Sequence, residues 1–177
     1  MWLALGFVLS LFLVPYFLGF TLPDDYEGSV QVDVDLAPRR VWDQVFDHLA
    51  HPLSGSSVQE IVDLEPTNSG PAWEERMERA LLVVKTTVMD PPLQLERVAF
   101  DAANGVESTW RYELTPTEGG TQLIVRQHLK ITDPGFATPY FRVFTHYLDF
   151  ARQAPRDQVE SIMDGLDQTS FEIVPVD

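Results

Sequence analysis

Apolar and polar residues alternate with a period of two along much of the chain, most clearly over residues 106–131. Val106, Ser108, Trp110, Tyr112 and Leu114 alternate with Glu107, Thr109, Arg111 and Glu113, the spacing of a strand with one buried and one wet face. Thr117-Glu118-Gly119-Gly120 supplies a turn, after which Leu123, Val125, Gln127, Leu129 and Ile131 share one side opposite Arg126, His128 and Lys130. The pair predicts a hairpin with a broad apolar and aromatic face that must be covered. The same period predicts strands over 28–36, 58–64, 72–78, 79–89 and 93–100. Asn104-Gly105 predicts a two-residue turn into the strand at 106, because both residue types tolerate positive φ.

A period of 3.6 replaces this pattern in two places. Behind Pro38, Val41, Trp42, Val45, Phe46 and Leu49 form one helical stripe, with proline suited to the first turn because its missing N–H has no partner there. A second short helical turn is expected over 48–55. Past the loop at Asp133-Pro134-Gly135, Thr138-Pro139 opens a helix striped by Tyr140, Val143, Phe144, Tyr147, Leu148 and Ala151. Pro155 predicts a kink or a fresh start, with Val159, Ile162, Met163 and Leu166 continuing the stripe.

Residues 1–22 hold no charged side chain, and about 20 apolar residues in a helix span the hydrocarbon core of a bilayer. A cleaved signal peptide would want a basic start, a shorter apolar core and small residues at the cut, none of which is present. The expected organisation is therefore a transmembrane anchor over 1–22, a connector over 23–27, a folded domain over 28–166 and a flexible tail over 167–177. The first cations after the apolar segment are Arg39 and Arg40, which tilts the positive-inside rule toward a cytoplasmic domain at the cell membrane.

The chain has 177 residues, room for one domain and a small appendage, and 12 Lys and Arg against 27 Asp and Glu leave a formal charge of -15. That field repels a nucleic-acid backbone, so no nucleic-acid partner is expected. The absence of cysteine excludes disulfides, thiolate catalysis and cysteine zinc sites. His48 and His51 share the spacing of a ligand pair, but no third ligand is evident nearby and no metal is assigned. Glu75 shares a strand face with Trp73 and Met77, while Glu74, Arg76 and Glu78 alternate outward as a charged row. Trp73, Trp110, Tyr112, Gln127, Val125 and Leu129 share the inward side as core or as the wall of a cavity. Arg97 falls either on that face, where it can meet a ligand acid, or in a strand-edge salt bridge. His146 and Tyr147 on the last helix are placed to approach the wall.

Ala37-Pro38 followed by Val41-Trp42, the Pro71-Ala72-Trp73-Glu74 strand, and Trp110-Arg111-Tyr112-Glu113-Leu114-Thr115-Pro116 ahead of Gly119-Gly120-Thr121 together resemble the START-like, or SRPBCC, superfamily of polyketide cyclases and lipid-transfer proteins. The likeness runs from Gly28 to Leu166. The apolar leader with its Leu-Pro and acidic, aromatic connector resembles the membrane-anchored bacterial branch. Two departures are Leu53 after His51-Pro52, where members often carry Trp, and Pro155 in the last helix. The resemblance implies an α+β helix-grip fold: a curved antiparallel sheet of about seven strands around a long C-terminal helix, with an apolar cavity between them. It implies membrane-tethered binding or transfer of a lipid or other hydrophobic small molecule without a cofactor. The implied wall is Trp73, Met77, Trp110, Tyr112, Val125, Gln127, Leu129, Phe144 and Tyr147. The alternatives are a cyclase or dehydratase acting through Glu75, Tyr112 or His146, and a regulatory module that contacts a protein whose identity is open.

Overall fold

The computed structural model describes residues 2–132, 135–168 and 171–176, with side chains described from Ser10 onward. Helix α1 (Trp2–Gly19) leads into strand β1 (Asp25–Val34), helix α2 (Pro38–Phe46) and a single 3₁₀ turn at Gly55–Ser57. Six strands follow in succession: β2 (Glu60–Thr67), β3 (Gly70–Arg76), β4 (Leu81–Asp90), β5 (Gln94–Asp101), β6 (Val106–Pro116) and β7 (Thr121–Ile131). Helices α3 (Thr138–Tyr147) and α4 (Phe150–Gly165) and a short strand β8 (Val174–Pro175) close the chain. The sheet is antiparallel throughout, in the order β2-β3-β4-β5-β6-β7-β1-β8.

The alternation read from the sequence sorts the faces. Along β6 and β7 the buried positions are Ser108, Trp110, Tyr112 and Leu114, then Leu123, Val125, Gln127, Leu129 and Ile131. On the outer face Arg111 pairs with Glu96, Arg126 with Glu113, and Arg76 with Glu60 and Glu74. The inner face is covered by α2, through Val41, Trp42 and Val45, and by α4, through Val159, Ile162 and Met163. These side chains and the facing residues of β1, β5, β6 and β7 form the main core, while Trp73, Val84 and Ala99 form a second one nearer the β2 edge. Leu53 packs against both.

Several local expectations are corrected. The Asn104-Gly105 turn is a four-residue connection in which Gly105 alone takes positive φ, at 58°. Asp101 closes it by accepting from the Ala103 and Asn104 amides, which a two-residue turn would not need. The second small helix reduces to the Gly55–Ser57 turn. The last helix breaks at Asp149, which sits in the left-handed region at φ 54°, and not at Pro155; an Asp side chain tolerates that conformation better than a bulky one. The tail is in part ordered: β8 adds an eighth strand beside β1, and Phe171 and Ile173 pack on the core. Of the expected loop at 133–135, Asp133 and Pro134 lie outside the described residues. Among the described residues no helix is long and apolar enough to cross a membrane.

Pro155 is buried within α4 and leaves the Ala151 carbonyl without its usual i+4 donor. That carbonyl lies over Gly28 of β1, where an added Cβ would stand 1.7 Å from the oxygen. Glycine is what lets the helix backbone rest directly on the strand. Gly28→Ala is expected to destabilise the chain by about 1–3 kcal/mol through overpacking. Gly119→Ala, with open space around it, is expected to be close to neutral; urea midpoints of the two variants check the contrast.

Candidate functional site

The inner face carries a polar row that crosses five strands. The strand registers place Thr86 of β4 opposite Arg97 of β5, Arg97 opposite Trp110 of β6, Trp110 opposite Gln127 of β7, and Gln127 opposite Gly28 of β1. Thr86, Arg97 and Gln127 are buried. Thr86 Oγ1, Arg97 Nε and Nη1, and Gln127 Oε1 all lack a hydrogen-bond partner, as does the hydroxyl of Tyr112 in the neighbouring row. Buried polar groups are nearly always paired. Four residues with orphaned atoms on one face are therefore the feature of this interior that calls for explanation.

Arg97 is the centre of the set. Its Nη2 donates to the Phe46 carbonyl at 2.8 Å, the last residue of α2, where the helix dipole leaves partial negative charge. Its guanidinium lies 5.0 Å from the Trp73 ring centroid and 5.8 Å from that of Tyr112, within cation–π range. The strand-edge salt bridge is thus replaced by a fully buried cation. Burial draws its pKa below the ordinary arginine value, opposed by Tyr112, Glu75 and Asp47. Burial also pushes the Tyr112 phenol up to about 12, although Arg97 opposes the rise. At neutral pH Tyr112 is a protonated donor. Arg97 and Gln158 both approach the phenol as hydrogen-bonding neighbours that oppose the rise, although neither meets it in good hydrogen-bond geometry.

Glu75 is also fully buried. Its carboxylate accepts from the Leu53 and Ser54 amides at 2.8 and 2.9 Å and from Trp73 Nε1 at 3.1 Å. Its two oxygens are thus spent on anchoring the loop after α2. His48 stacks on Trp73 at 4.3 Å and meets Asp63 at 3.1 Å. His51 is buried, with Nδ1 at 2.8 Å from Ser161 Oγ and Nε2 at 2.8 Å from Gln44 Oε1. Since an amide oxygen only accepts, Nε2 carries the proton, and burial, which lowers the ring's pKa, favours the neutral form in which Nδ1 accepts from Ser161. Gln158 adds a bond from Nε2 to the His51 carbonyl, so one residue ties α2 and α4 together.

Of the residues expected on the wall, Trp73, Trp110, Tyr112, Val125, Gln127 and Leu129 lie buried on the inner face. Met77 stands just past the end of β3, half-buried, with its amide bonded to the Ala80 carbonyl. Phe144 and Tyr147 do not reach the wall: they are exposed on α3. His146 is exposed as well, beside Tyr26 and Tyr147, so Glu75, Tyr112 and His146 are not assembled in one place. Thr86 and Gln158 were missed by sequence reasoning, and His51, paired there with His48, instead meets Ser161 and Gln44. For Thr86 the available signal was its position two residues after Val84 on the inner face of β4.

An open groove of about 880 Å³ passes the Gly28–Gln127 end of the row and takes in Thr109, Arg111, Arg126 and His128 of the outer face as well. Gln127, Gly28 and Val30 line it on the sheet, Arg152, Gln153 and Arg156 on α4, and Ile173 and Pro175 on the tail. The core beyond is filled by Tyr112, Leu95, Leu123, Ile162 and Met163, each fully buried.

No protein-family model matches the sequence, and no curated protein does either. Solved structures do match. The chain is similar to a protein of Mesorhizobium loti at 19% identity, with a TM-score of 0.56 over 82% of this chain and 99% of that one. It is similar to a conserved protein of Geobacillus kaustophilus at 12% identity, with a TM-score of 0.56 over 84% and 99%. The di-domain aromatase/cyclase of the steffimycin biosynthetic pathway matches at 14% identity and a TM-score of 0.54, over 82% of this chain and 52% of that one. The fold is the helix-grip fold. At these identities the likeness extends to architecture alone.

Two expectations follow. Thr86→Val and Gln127→Leu each remove an unpaired buried oxygen and are expected to stabilise the chain by about 1 kcal/mol, whereas Glu75→Gln, which leaves a backbone amide facing an NH₂, is expected to cost about 1–3 kcal/mol; urea unfolding measures all three. Burial lowers the His51 pKa beneath its unfolded value of about 6.5. The unfolded chain therefore binds the proton more readily, and the contribution of neutral His51 is complete above about pH 6.5 and lost as pH falls below it. Thermal unfolding between pH 7.5 and 5.5 is expected to show a steeper loss for the native chain than for His51→Gln.

Proposed function

We propose that this protein is a membrane-tethered binding domain that takes a hydrophobic small molecule carrying a polar end, seated on the inner face with that end toward Arg97. The carrying observation is the row of buried, unpartnered atoms on Thr86, Arg97 and Gln127, with Tyr112 beside it. Leaving such atoms unpaired costs roughly 1–3 kcal/mol each, a burden that a purely structural core has no use for and that a ligand oxygen relieves. Trp73, Trp110, Leu95 and Val125 are packed in the core behind the row, so the rest of the molecule lies along Gly28, Val30 and Ile173 in the open groove or enters by displacing core contacts. The steffimycin-pathway protein of the same fold is an aromatase/cyclase, and for this chain we carry over ligand binding alone. Acid–base turnover has less support, because Glu75 is occupied by three donors and Tyr112 is a neutral phenol at pH 7.

The tether reading rests on the 22 uncharged residues that open the chain and on the helix they form over Trp2–Gly19. The segment carries no charged residue, and a helix of such apolar composition belongs in a core or in lipid. Leu11, Phe12, Val14 and Phe17 stand exposed, so the protein core does not receive them. Tethering holds the domain where hydrophobic ligands partition.

Native mass spectrometry of the full chain, released from non-ionic detergent micelles, tests the binding. The expected result is a reproducible added mass that disappears on denaturation and falls sharply in the Thr86→Val/Gln127→Leu double variant, although that variant is the more stable protein. A clean apo mass with no uptake of lipids from the host would overturn the reading.

A further inference from the structure

We propose that the exposed aromatic face of α3 lies in the headgroup region of a lipid bilayer, beside the described end of α1, so that the domain is docked on the membrane as well as tethered to it. The inference rests on the tether reading and adds a second contact to it. Phe136, Phe141, Phe144, Tyr147, Leu148 and Phe150 are exposed along α3 and its two ends, with Phe136 at 76%, Phe144 at 58% and Tyr147 at 62%. Residues 141, 144 and 148 follow the i, i+3, i+7 spacing of one helical stripe. No acid lies on α3, and its one Arg, Arg142, turns toward Asp24 at 3.9 Å.

The observation that selects lipid as the occupant is the packing of α3 on α1. Tyr16 of α1 meets Phe136 and Tyr140 at ring separations of 5.2 and 5.5 Å. Tyr140 donates to the Phe12 carbonyl at 3.1 Å, and a Cβ on Gly19 would come within 2.0 Å of the Pro139 carbonyl. The two helices therefore share one continuous apolar surface, and Leu11, Phe12, Val14, Phe17 and Phe20 stand exposed beside it. Whatever solvates Phe12, Phe17 and Phe20 must extend over the face of α3. Aromatic residues concentrate at the level of the headgroups, and an amphipathic helix with such a face buries it about 5–10 Å into that region. A small apolar pocket of about 370 Å³, lined by Phe136, Tyr140, Phe141, Phe144 and Ala103, opens within the same face.

The net charge of -15 disfavours approach to anionic lipid, so the contact is hydrophobic and insensitive to salt. The chain has no cysteine, which makes single-site labelling clean. Nitroxide labels placed on Phe144→Cys and Tyr147→Cys, with Glu118→Cys at the β6–β7 turn as the water-exposed control, report depth in the full chain reconstituted into palmitoyl-oleoyl phosphatidylcholine vesicles. Both α3 positions are exposed, so the labels spare the fold.

The expected result is that labels at 144 and 147 are quenched by oxygen in preference to a water-soluble nickel chelate, at both low and high salt, while 118 shows the reverse. A chain that floats with the vesicles but shows the same nickel access at 144, 147 and 118 overturns the docking and leaves the tether standing. A chain that does not float overturns both. Labels shielded from oxygen and nickel alike, with spin–spin broadening between copies, assign the face to a second copy of the chain and overturn the lipid contact.

Discussion

A fully buried guanidinium is the constraint on which this interior depends. Arg97 is held at the boundary of the two apolar cores, and each of its compensations fixes a different element. The Phe46 carbonyl sets the end of α2 against β5, the rings of Trp73 and Tyr112 bracket the charge from β3 and β6, and Glu75 contributes its field from β3. Glu75 in turn holds the Leu53 and Ser54 amides, and Leu53 is the residue that packs on both cores. The compensation is electrostatically sufficient to retain the charge yet geometrically incomplete, since Nε and Nη1 are left over. A core evolved only for packing would place a Leu or Met here, because replacing buried charge by apolar volume is often neutral or stabilising.

The second constraint is how close α4 comes to the sheet. Pro155 costs the helix a hydrogen bond, and the freed Ala151 carbonyl lies on Gly28. At the other end of the helix, His51 and Gln158 clasp α4 to the loop after α2, and a Cβ on Gly165 would strike Gln44 and His51. The helix is thus pinned at both ends by contacts with no spare volume. The groove opens beside the first of these pins, where Gly28 and Gln127 meet Arg152, Gln153 and Arg156 on the flank of α4.

The order of elements was legible because strand alternation and helical stripes are local properties of the chain. The inner residues of β6 and β7 follow directly from the period of two. Periodicity says which residues share a face, however, and does not say what covers it. The stripe of Phe144 and Tyr147 therefore read as inward, although α4 had already filled the inner face and α3 was left to pack on α1. For Arg97 the sequence left two readings open, and the structure takes the inward one. Its position in the alternation was inward, but a charge ordinarily seeks water, and nothing local announces that the C-terminal end of α2 waits above. His51 looked like a surface residue because its partners Gln44 and Ser161 lie 7 and 110 positions away. The break at Asp149 was masked by Pro155, the stronger helix breaker in isolation, which here pairs its defect with a glycine.

The two unusual surfaces of the molecule have complementary chemistry. The inner face is apolar with a polar row lacking partners, and the face of α3 is apolar with no polar row at all. An amphiphile satisfies the first, since its polar end supplies what Thr86, Arg97 and Gln127 lack while its tail replaces apolar contacts. The interfacial region of a bilayer suits the second, since it receives aromatic rings and asks little of hydrogen bonding. Under that reading the outer acidic surface has a role as well: repulsion from anionic lipid keeps the sheet away from the bilayer, so that only α1 and α3 make contact. Orientation then follows from charge and hydrophobicity together, and no protein partner is needed to impose it.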